Sequence, residues 1–129
     1  MELIILGSGT AVPTERATAG YLAKMDKPIV MDMGRGTFIN LCKSQRREDV
    51  EHILISHHHV DHYSDLLPFL QTAIHESRDA PRKDLNIIGP AGTKELFKKF
   101  LTLPGMADGT FKIHVKDVSN ETFTAGRTR

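Results

Sequence analysis

The stretch HILISHHHVDHYSDLLPFL, residues 52 to 70, decides how this chain is read: its first eleven residues hold five of the seven histidines in the sequence. HILIS is a short apolar run of strand character. In an extended segment residues two apart point the same way, so His57 and His59 can aim both imidazoles at one point while His58 faces away. Asp61 and His62 follow where strand gives way to helix, so they can face a second, neighbouring point. Imidazole nitrogen and carboxylate oxygen suit zinc, iron or manganese. Two such ions about 3.5–4 Å apart can share an oxygen ligand and clamp both sides of a displacement at phosphorus or carbonyl carbon. A histidine tag would sit at a terminus and would not be interrupted by Val60 and Asp61.

Working outward, Leu66, Leu67, Leu70, Ala73 and Ile74 form one helical stripe, with Asp65, Gln71 and His75 away from it. Upstream, ELIIL (2–6) reads as a strand closed by the turn-rich GSGTAVP. TAGYLAKM (18–25) and PIVMDM (28–33) read as a hairpin, the second strand apolar enough to be buried on both faces. GRGTFINLCKSQ places Phe38, Leu41 and Cys42 at helical spacing, with Cys42 expected as a small buried hydrophobe. Downstream, ESRDAPRKD (76–84) is expected as a solvated loop that includes Arg82, and LNIIG (85–89) as a strand. PAGTKELFKKFLTL (90–103) predicts a helix with Phe97, Phe100 and Leu101 in the core, and TFKIHVKDV (110–118) alternates as a strand. The order β-β-β-α-β-α-β-α-β predicts an α/β layered fold.

At 129 residues the chain can bury a real core. With 17 basic and 16 acidic residues, a net charge of +1, nothing demands a polyanionic partner. No apolar run approaches the roughly 20 residues that span a bilayer. The opening MELIIL lacks the positive charge of a signal peptide. A single cysteine, Cys42, excludes an internal disulfide and suits a reducing compartment, so a cytoplasmic location is expected.

HHHVDH also matches H-x-H-x-D-H, the metal motif of the metallo-β-lactamase superfamily of hydrolases. Three further stretches carry the resemblance. ELIILGSGTAVPTERATAGYLA resembles the family's opening strand, loop and second strand. IVMDMGRGT resembles its D-x-G-x-G-T segment, with Asp32, Gly34, Gly36 and Thr37 in place. LNIIGPAGTKELF resembles the strand and helix opening of the ribonuclease Z-like branch, although Val60 stands where ribonuclease Z usually has glycine.

The resemblance implies an α/β fold, a metallo-β-lactamase-like αββα sandwich, of which residues 1–129 supply the N-terminal half as a single incomplete domain. It implies two zinc ions, with manganese or iron as alternatives. His57 and His59 would bind the first ion, and Asp61 and His62 the second. Asp61 is also the catalytic residue it implies, hydrogen-bonded to an attacking hydroxide that bridges the metals. Asp32 would support the ligand loop, and Gly34 and Gly36 would let the backbone pass close to it. The reaction implied is hydrolysis of phosphodiester bonds, in RNA or in a small-molecule phosphodiester or ester. The family completes its site with a third histidine, a bridging aspartate and a last histidine from its second half. Only His75 and His114 follow the motif here, one on the polar side of a helix and the other among lysines. The chain is therefore expected to self-associate or to pair with a missing C-terminal half. The alternative to an enzyme is a truncated, catalytically inert metal-binding or assembly module.

Overall fold

The computed structural model describes residues 1–106, 109–120 and 126–127. Its sheet has six strands in sequence order: β1 (Glu2–Gly7), β2 (Gly20–Lys24), β3 (Ile29–Met33), β4 (His52–Leu54), β5 (Leu85–Gly89) and β6 (Ile113–Asp117). The pairs β1–β2 and β2–β3 are antiparallel, the second joined by a short turn through Asp26 and Lys27. From β3 to β6 every pair is parallel. Parallel neighbours need crossovers, which α1 (Thr37–Ser44), α3 (Leu66–Glu76) and α4 (Thr93–Phe100) provide.

The register explains which face carries the core. Ile4, Leu22, Val30, Ile53, Ile87 and Val115 stand side by side across all six strands. The four central members are fully buried and share one cluster with Leu41 of α1, Phe69 and Leu70 of α3, and Phe97 and Phe100 of α4. One residue along, alternation turns the row Ile5, Tyr21, Met31 and Leu54 to the opposite face, where Ile5 is 63% exposed. No described helix is long and apolar enough to cross a membrane.

Several expectations need correction. The helix after Asp61 is broken into α2 (Val60–Tyr63) and α3, because the Asp65 amide donates to Met33 O (2.9 Å) rather than to its own helix. The break also puts Pro68 in the first turn of α3, where a missing N–H costs nothing. Phe69, unlisted in the predicted stripe, is buried there, whereas Leu67 is only partly buried. Cys42 is exposed: α1 buries the row of Thr37 and Leu41, and Cys42 lies about 100° further round the helix. Leu101 is 39% exposed, since it caps α4 just past the last buried turn. Arg82 is not solvated. Its guanidinium lies 4.9 Å from the Phe111 ring centroid and donates to Val50 O (2.7 Å). The outer end of the loop behaves as expected, with Lys83 largely exposed and paired to Glu51.

His52 sits buried in β4 with its Nδ1 lacking a hydrogen-bond partner. Burial holds its pKa below the ordinary 6.5, against the opposing pull of Glu51. A neutral buried histidine is fully tolerated above that ordinary value, and stability is lost as pH falls from about 6.5 toward the lower folded-state value. His52→Leu should therefore flatten the acid side of the stability profile between pH 7 and pH 5 in urea titrations; an unchanged acid slope would refute this.

Gly34 has a different constraint: a Cβ there would meet Thr18 Oγ1 at 2.0 Å and Asp61 O at 2.1 Å. Because one of those atoms is backbone, Gly34→Ala should destabilise the chain by about 2–3 kcal/mol. Thermal denaturation checks it, and a variant as stable as the parent would show the two loops to be separable.

Candidate metal centre

The site is built at the C-terminal end of β4, beside the end of β3. The register passes from Gly20↔Met33 to Tyr21↔Met31, leaving Asp32 as the extra residue of a bulge. Asp32 has φ of 59°, the one positive value at a non-glycine among the described residues. Such a conformation costs about 1–2 kcal/mol and needs surrounding contacts to hold it. Those contacts are hydrogen bonds. The buried carboxylate accepts from Ser56 N (2.7 Å), Ser56 Oγ (2.7 Å) and His62 Nδ1 (2.8 Å).

Counting protons assigns the rings. Ser56 Oγ gives its only hydrogen to Asp32, so at its 2.9 Å contact with His57 Nδ1 it must accept. His57 thus carries its proton on Nδ1, and His62 does the same toward the Asp32 carboxylate. Both rings are left with an Nε2 lone pair. His62 Nε2 lies 3.4 Å from Asp61 Oδ2. Two ligand atoms at about 2.0–2.2 Å from one tetrahedral zinc stand roughly 3.4 Å apart, so this pair is spaced for a shared ion.

The expected ligands are brought side by side. The His57 ring centroid is 4.7 Å from that of His59 and 4.0 Å from that of His62. The rings pack on one another, and among the described residues no three His, Cys, Asp or Glu side chains close around a single point. The donor set itself fits zinc: imidazoles with unprotonated Nε2, a carboxylate alongside, and a second carboxylate behind His62 that orients it. His58 faces away, as alternation requires, and contacts Thr93 Oγ1 at 2.9 Å. His75 is exposed on α3, and His114 pairs with Asp84 at 2.9 Å; neither joins the cluster.

Two supporting residues were missed from sequence. Ser56 looked like the end of a strand. Asp65 looked like a solvent-facing helix residue, yet its carboxylate accepts from Phe38 N (3.0 Å) and so caps α1 from a distant element. An aspartate directly before an apolar helical run is a capping signal, but only for its own helix. Gly34 lets the β3–α1 loop touch Asp61, as expected, whereas Gly36, with φ of 87°, serves the turn into α1. A charged cleft also exists at the other end of the strands. There Lys27 and Lys83 both grip Glu51, at 2.8 and 3.0 Å; burial pushes that carboxyl up, and the two lysines outweigh it.

The profile of the metallo-beta-lactamase superfamily matches residues 13–124. Ribonuclease Z of Bacteroides thetaiotaomicron is 38% identical over 104 residues, covering 78% of this chain and 32% of the relative. Ribonuclease Z of Thermococcus sibiricus is 33% identical over 121 residues, covering 92% and 38%. The crystal structure of the short form of human tRNase Z superposes with a TM-score of 0.78 at 27% identity, covering 91% of this chain and 45% of that one. The metallo-beta-lactamase fold protein YhfI of Bacillus subtilis gives 0.76 at 24% identity, covering 96% and 48%, a likeness of fold. The chain thus spans about a third of the curated relatives and about half of the solved structures. With the profile covering most of its length and the fold shared with these solved structures, the chain belongs to the metallo-β-lactamase superfamily.

Proposed function

We propose that this chain carries the metal-holding part of a zinc-dependent phosphodiester hydrolase of the ribonuclease Z kind. The observation that carries the reading is the Asp32–His62–Asp61 line. One carboxylate holds His62 by Nδ1, and the freed Nε2 faces a second carboxylate at 3.4 Å. His57 and His59 would hold one ion, and Asp61 and His62 the other. Bound zinc supplies a Lewis acid for a phosphoryl oxygen and acidifies water. Asp61, partly exposed beside the cluster, is the residue to accept a hydrogen bond from the attacking water and orient it. Asp32 keeps the His62 lone pair outward, and Ser56 does the same for His57. RNA is the favoured substrate class because the relatives are ribonucleases Z. The partly apolar sheet face bearing Ile5, Met31 and Leu54 would be covered by a second, C-terminal half that completes the ligand set. A free, exposed Cys42 suits a cytoplasmic setting.

A second reading is favoured by the spacing of the donors, of which no three yet converge: residues 1–129 alone bind metal without turnover. Two measurements separate the readings. Zinc uptake, followed with a chromophoric competitor, should be largely lost in His57→Ala and His59→Ala. Asp32→Asn should weaken it about 10–100-fold, the usual cost of losing a partner behind a ligand. Zinc uptake below a tenth of an equivalent in the parent would sink both readings. Hydrolysis of bis(p-nitrophenyl) phosphate that disappears in Asp61→Ala supports the enzyme, and full zinc occupancy without hydrolysis supports the inert module.

A further inference from the structure

Among the described residues, His57 and His62 are each held by a hydrogen bond behind the ring and His59 is not. The described ring contact of His59 is with His57 alone, and its side chain is exposed. Its backbone is caught between two neighbours. On the C-terminal side, His59 O accepts from His62 N (3.0 Å) in the first turn of α2. On the N-terminal side stands His58.

The His58 ring is fastened to a rigid point. Thr93 is fully buried at the start of α4, and its hydroxyl donates to Pro90 O at 2.7 Å. With that one hydrogen committed, Thr93 Oγ1 can only accept from His58 Nε2 at 2.9 Å. Thr93 packs directly against Gly89, where a Cβ would lie 2.4 Å from its hydroxyl oxygen. The turn around it is pinned from β6 as well, where the two oxygens of Asp117 accept from Gly92 N (3.2 Å) and Lys94 N (2.9 Å).

We infer that His58 is a positioning residue: its Nε2–H, donated to Thr93, ties the ligand loop to α4 and so orients His59. Alternation makes the tie effective. A side chain clamped on one side of an extended backbone fixes the direction in which its neighbours leave on the other. The inference rests on the metal-binding reading above, and it gives the residue between two ligands a task that its own facing direction conceals.

The test compares His58→Leu, which has no donor, with His58→Gln, whose amide can reach Thr93, and with Thr93→Val. Zinc affinity by competition should fall about tenfold in His58→Leu and Thr93→Val and return near the parent value in His58→Gln. The visible spectrum of the cobalt-substituted protein should change in the first two and not in the third. Imidazole NMR of the metal-free chain should show His58 protonated on Nε2, and the His59 ring signals should move in His58→Leu but not in His58→Gln. Parental affinity in His58→Leu would overturn the inference. So would losses in all three variants that simply follow a fall in melting temperature. A parent chain that takes up no zinc would remove the metal reading; the tie is then judged on the His59 ring signals, and their identity in parent and His58→Leu would overturn it.

Discussion

The Asp32 carboxylate is buried at the point where two strands and the ligand loop meet, and it carries a negative charge there. A charge taken out of water is tolerated only when donors surround it. Ser56 supplies two and His62 a third. Satisfying that carboxylate therefore dictates where the loop begins, where its short helix lies and which nitrogen of two imidazoles is left bare. The strained backbone at Asp32 is the local cost of aiming the group correctly.

Around this centre the loop is fastened to every neighbouring element. Asp61 O lies against Gly34, Asp65 reaches the first turn of α1, and the Asp65 amide reaches the end of β3. His58 reaches α4. The ends of parallel strands are where α/β folds place their chemistry, because loops there are held by several elements at once yet face solvent. Here the holding groups point inward and the His57, His59 and Asp61 side chains stay partly or wholly exposed.

The sheet divides its faces by the same economy of residues. Its helix-covered row is saturated with Leu22, Val30, Ile53 and Ile87. The opposite row keeps apolar residues that no described helix cluster claims, Ile5 and Met31 among them. A chain that matches about half of each solved relative has its core on one side of the sheet and its histidine cluster at one end.

Much of this was legible in the residues alone. Period-two and period-3.6 patterns located the strands and helices, and H-x-H-x-D-H after an apolar run marked the loop where the histidines gather, because both depend only on neighbours along the chain. The close approach at Gly34 was implied by the family resemblance, and a Cβ there would meet Asp61 O. What alternation could not reveal was the partner on the far side of each contact. Asp32 was seen as support for the loop, but not its bulge or its three donors; Asp65 looked solvated, and His58 looked idle. Cys42 and Leu101 looked buried because helical spacing says which residues share a face, not where the helix stops or how wide its contact is. Sequence determined the elements, their order and the donor types. Only tertiary structure decided which proton these imidazoles keep, since that traces back to hydrogen bonds between residues far apart in the chain, as between Asp32 and Ser56, Asp32 and His62, or His58 and Thr93.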